Sequence, residues 1–113
     1  MEKVNQYKKI VSELIEELGT WIPPETGTEI QVIQDHKQGH YILFEVGWEG
    51  KKRIYLPFIH IDIRPDGKVW LQHDGTDLEL ALKLFERGIP KKQIVLGFHA
   101  PHLREYLPDF AIA

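Results

Sequence analysis

The sequence predicts an α+β protein: an N-terminal helix, a four-stranded antiparallel meander, a second helix and a short C-terminal extension. Three observations carry this. Val4, Tyr7, Val11, Leu14, Ile15 and Leu18 recur at helical spacing. Between Ile59 and Ile63 apolar and polar residues alternate, as a half-buried strand requires. The strand-like segments are joined by links too short for anything but antiparallel reversal.

Taken in order, residues 2–18 form the first helix, and Gly19 suits the position just past its end. Residues 20–28, with Pro23-Pro24 and Gly27, read as a loop. Strands follow at 29–35 and 40–49, joined through His36-Lys37-Gln38-Gly39. A turn at 49–52 leads into a long strand at 53–64, where Pro57 requires a bulge or an edge position. Pro65-Asp66-Gly67 reverses the chain into a strand at 68–73.

Thr76-Asp77-Leu78-Glu79 fits a capping box, with Thr76 as N-cap of a helix that buries Leu78, Ala81, Leu82 and Phe85. Gly88 ends that helix, and Pro90 prevents its resumption. Residues 94–98 read as a brief strand or packed extended segment, and 101–106 as one helical turn. The uncharged tail 110–113 is expected to be tied down.

The 113 residues suffice for one domain with one core, spanning 1–113. No segment nears the roughly 20 consecutive apolar residues of a membrane span, and the first residues lack a signal peptide's apolar run, so a cytoplasmic protein is expected. With no cysteine, disulfide and thiolate chemistry are excluded. A formal net charge of −3 opposes a stand-alone DNA-binding domain. Lys51-Lys52-Arg53 and Lys91-Lys92 are the basic clusters through which direct DNA contact would run, and the triplet reads first as a solvated hairpin tip.

His60 and Asp62, two apart on the long strand, share the face opposite Ile59, Ile61 and Ile63. Such a pair can orient an imidazole for proton transfer or supply two metal ligands; equally, it can be a polar pair packed against a helix or a second subunit. Two ligands are too few for a tight metal site and no spaced third is visible, so no metal or cofactor is expected. An enzymatic reading would join His60, Asp62 and His99 in one pocket.

His73, Asp74 and Asp77 gather where the fourth strand meets the helix. Helix capping explains them better than magnesium binding does. Trp48, Trp21 and Trp70 are core candidates, or interface markers if they cluster on an exposed face. Ile54, Leu56 and Phe58 could be buried by a second copy, giving a homodimer, or by a helix of the same chain. Phosphate-loop, His-Glu-x-x-His and nucleophile-elbow patterns do not occur.

Val46-Gly47-Trp48, the stretch Ile59–Thr76, and Gly88–Pro101 together resemble the XisI family, the fdxN element excision controlling factors of cyanobacteria. Phe98-His99-Ala100-Pro101-His102-Leu103-Arg104 fits that family's Phe-His-x-Pro-x-x-Arg pattern. The resemblance marks Trp48, Arg53, His60, Asp62, Trp70, Asp74, Thr76, His99 and Arg104 as motif or interface residues. It implies control of DNA-element excision in heterocyst development, exerted through a protein companion, the restriction-endonuclease-like XisH, with DNA touched only indirectly.

Overall fold

The computed structural model describes residues 2–112. Helix α1 (Glu2–Trp21) precedes strands β1 (Thr28–Asp35), β2 (His40–Glu49), β3 (Lys52–Ile63) and β4 (Val69–Asp74). Helix α2 (Leu80–Glu86), a 3₁₀ turn at Lys91–Gln93, strand β5 (Ile94–Leu96) and helix α3 (Pro101–Arg104) complete the chain. The sheet runs β1-β2-β3-β4-β5. Its first four strands form the expected antiparallel meander.

The fifth strand is a correction. β5 pairs parallel to β4, so α2 is the crossover of a β-α-β unit rather than a closing helix. Only three residues, Ile94–Leu96, commit to the ladder, too few for a periodic signal. The tail is tied down as expected: Ala111 bridges Val95, its amide donates to the Ile94 carbonyl at 2.9 Å, and Phe110 packs on the core. That bridge covers the outer edge of β5. Ala113 lies outside the described residues.

α1 packs across β1, β2 and β3 through the six residues its spacing singled out. Opposite them stand Tyr41 and Leu43 of β2, Ile59, Ile61 and Ile63 of β3, and Val69 and Leu71 of β4. Each fully buried aliphatic side chain stabilises the fold by about 1.5–3 kcal/mol. Gly19 does not end α1, which runs on to Trp21. A Cβ at position 19 would stand 2.5 Å from Val32 Cγ2, so this glycine lets the helix approach β1 closely.

α2 also departs from expectation. Thr76 Oγ1 donates to Asp74 Oδ1 at 2.6 Å and accepts the Leu78 amide at 3.2 Å, which holds 76–78 in bends. The helix therefore starts at Leu80, with Glu79 in the left-handed region at φ 53° and without a capping box. Asp74 Oδ2 instead accepts the Leu80 amide at 3.3 Å. The later start turns the helix, so Leu80 and Leu84 are buried while Leu82 and Phe85 are exposed.

Two bulges interrupt the ladders. Between β2 and β3, Leu43 pairs with Ile59 and Phe44 with Pro57, leaving Phe58 as the extra residue beside the proline. Between β3 and β4, His60 pairs with His73 and Ile61 with Leu71, leaving Gln72 as the extra residue. Because of the first bulge, Ile54, Leu56 and Phe58 share the core side with Ile59. Ile54 is buried within the single chain and Phe58 packs on the core, so these are not the residues a second copy would cover.

Candidate functional site

Both bulges act on Asp62. The first sets His40, at the start of β2, directly opposite Asp62. The second re-aims Gln72 of β4. The carboxylate is almost wholly buried, 9% of its side chain remaining accessible, whereas the His40 and His60 side chains are 51% and 31% accessible.

His40 Nδ1–H donates to Asp62 Oδ1 at 2.7 Å, and His60 Nε2–H donates to the same oxygen at 2.8 Å. Gln72 Nε2 donates to Oδ2 at 3.0 Å. A carboxylate only accepts, so the arrangement fixes which ring nitrogen of each imidazole carries the proton. Burial pushes the Asp62 carboxyl up. The hydrogen bonds from His40 and Gln72, with the charge and hydrogen bond of His60, outweigh it and hold the carboxyl below its ordinary value. Among the described residues no buried side-chain nitrogen or oxygen lacks a partner.

The predicted pair of His60 and Asp62 is thus real, and its third member is His40. His99 does not join it. The His99 ring packs on Phe98 at 4.6 Å, and its carbonyl accepts Arg104 Nε at 3.0 Å. Arg104 is itself buried, with its guanidinium 5.1 Å from the Trp70 ring. His99 and Arg104 therefore hold the C-terminal segment against β4. Arg64 stands at the same distance from Trp70.

Asp74 and Thr76 form the turn before α2, as capping predicted, while Asp77 and His73 are exposed. The basic clusters sit at opposite ends of β3. Lys51, Lys52 and Arg53 are exposed at the hairpin tip. Lys91 lies over Phe85 at 5.0 Å, and Lys92 Nζ donates to the Pro108 carbonyl.

A second surface stands out on the face away from α1. Alternation and register place Ile33, Ile42, Phe44, Val46, Trp48 and Tyr55 together there, on β1–β3. Ile33, Trp48 and Tyr55 are exposed, the last two at 53% and 65%. Arg53 spans both rings, at 5.5 Å from Trp48 and 5.6 Å from Tyr55. Neither Trp48 nor Trp21 is a core residue, which corrects the first expectation for them.

Fold and site define a small α+β protein in which one helix backs a mixed sheet and a buried aspartate ties β2, β3 and β4 together from the other side. The chain belongs to the XisI family, whose pattern matches residues 1–112. Two crystal structures are similar over nearly full length. A XisI-like protein from Anabaena variabilis is 38% identical, with a TM-score of 0.90 and a match covering 97% of this chain and 99% of that one. The fdxN element excision controlling factor XisI from Anabaena variabilis is 32% identical, with a TM-score of 0.82 and coverage of 98% and 99%. Among curated proteins none matches. Among the described residues no helix is long and apolar enough to cross a membrane.

Proposed function

We propose that this protein is a control factor for the excision of a DNA element, and that it works in the cytoplasm by binding a XisH-like, nuclease-fold companion. It restrains or positions that companion, and the cutting and joining of DNA belong to other proteins. The observation that carries this reading is the end-to-end likeness to an fdxN element excision controlling factor, at 32% identity over 98% of the chain. In a cyanobacterial host the setting would be heterocyst development.

Two further observations support association with protein over direct contact with DNA. The net charge is −3, and the two basic clusters are separated along β3. The outer face of β1–β3 presents Ile33, Trp48 and Tyr55 to solvent, with Arg53 stacked between the two rings, the residue types that dominate protein–protein contacts.

Light scattering on the purified chain, alone and mixed with its XisH-like companion, tests the reading. A species with the summed mass of the two proteins is expected. Two separate species at micromolar concentration would overturn it, and a doubled mass for the chain alone would assign the exposed face to a homodimer.

A further inference from the structure

His40, His60 and Asp62 place one donor atom each within 4.8 Å of one another, from two adjacent strands. We propose that these three residues form a binding site for a divalent transition-metal ion of the zinc type, held by His40 Nδ1, His60 Nε2 and Asp62 Oδ1. The proposal is independent of the companion reading above.

The donor set selects the metal. Two imidazoles and one carboxylate suit zinc and its first-row neighbours, whereas magnesium and calcium take oxygen ligands. Three protein donors leave a position for an outside ligand.

The geometry fits with a small adjustment. Ligands about 2.1 Å from a tetrahedral ion stand roughly 3.4 Å apart. The two imidazole nitrogens lie 2.7 Å and 2.8 Å from Oδ1, so each must retreat by about 0.6 Å. Both imidazoles are partly exposed and free to make that movement, while Asp62 stays fixed by Gln72 through Oδ2. An outer hydrogen bond to the ligating carboxylate is the support metal sites commonly have.

The convergence is itself informative. Two imidazoles from different strands aim at one oxygen, although the carboxylate offers two. Without an ion, each of those nitrogens needs a proton to bond Oδ1; with one, both offer lone pairs and the repulsion between the two N–H groups is gone.

The site is reachable. His40 and Asp62 line an open groove of about 580 Å³, which Lys8, Lys37 and Arg64 also line. These cations oppose a bare divalent ion, but they favour water or a small anion as the ligand that completes its shell.

Titration of the full chain with zinc chloride, and with cobalt(II) chloride as a spectroscopic probe, tests the proposal. One ion per chain is expected, with a visible absorption band for tetrahedral cobalt. Replacing His40→Gln or His60→Gln should weaken binding by at least about tenfold, the loss that even an outer partner's removal brings. A His99→Gln, His102→Gln double variant should bind as the parent does. Imidazole NMR of the unaltered chain gives the same reading should a variant misfold: zinc should shift His40 and His60 and leave the other histidines in place. No saturable binding would overturn the site. So would binding that survives both single replacements, or shifts confined to His36, His73, His99 and His102.

Discussion

Asp62 faces His40 across the β2–β3 ladder because β3 carries one residue more than β2 between them. Counted back from the Glu49–Lys52 pair, a regular ladder sets His40 opposite Ile61, a core residue. The extra residue at Phe58 moves the register by one and exchanges that isoleucine for the carboxylate. A proline in a strand thus decides which side chains meet near the strand's far end.

The first prediction concerns this carboxylate. Asp62 is the acceptor for donors on three strands, and Asp62→Ala leaves Gln72 and both imidazoles without it. The variant should lose about 1–3 kcal/mol in urea unfolding with the slope unchanged. An unchanged midpoint would show that the network contributes nothing to stability.

Gly47 and Gly50 separate backbone crowding from backbone strain. Gly47 sits at φ 152°, and a Cβ there would stand 2.2 Å from the Gly27 carbonyl oxygen and 2.7 Å from the Thr28 Cα. Gly50, at φ 63°, has nothing within 4 Å of its missing Cβ. Gly50→Ala should cost only about 1 kcal/mol, the left-handed penalty. Gly47→Ala should cost more than about 2 kcal/mol, because two backbone segments must move apart. Equal costs in thermal unfolding would contradict the close approach.

Alkaline stability should report Tyr41. Its ring is fully buried, and burial, with the Asp35 charge adding to it, pushes the phenol from 10.0 up to about 12. A folded-state value above the unfolded one means that the neutral phenol is favoured by folding. Stability is then unaffected below pH 10 and falls as pH rises from there to about 12. Urea midpoints across that range should decline for the parent and decline less for Tyr41→Phe. Parallel profiles would refute the assignment.

The exposed aromatic pair should matter for partner recognition and little for folding. A Trp48→Ser, Tyr55→Ser variant should keep its stability to within about 1 kcal/mol, since only the Arg53 stacking is lost. Its affinity for a XisH-like companion should fall by about thirtyfold or more, the loss of an anchor worth about 2 kcal/mol. Unchanged affinity by calorimetry would move the interface to another face.

Most of the fold was legible because its elements are periodic or punctuated. α1 declares itself through six residues at helical spacing, and the meander through Gly39, Gly50 and Gly67 at its three reversals. β5 and the start of α2 were not legible. Three residues carry no period, and the capping-box pattern at Thr76 and Glu79 was defeated by Asp74, which captured the threonine hydroxyl first. Half of the site was visible as His60 and Asp62 on one strand. His40 was missed because cross-strand neighbours depend on register, and register depended on a bulge expected at Pro57 but not carried through the count. His99 misled because its spacing beside Pro101 looks ligand-like, while the fold uses its carbonyl to seat Arg104.

The central claim is that the chain acts by holding another protein. Co-expression with the XisH-like companion, followed by mass measurement of what co-purifies on a tag carried by this chain alone, tests it most directly. The account predicts an intact complex of defined stoichiometry that the Trp48→Ser, Tyr55→Ser replacements disperse. Recovery of the tagged chain alone, with the companion present and folded in the same cells, would contradict it.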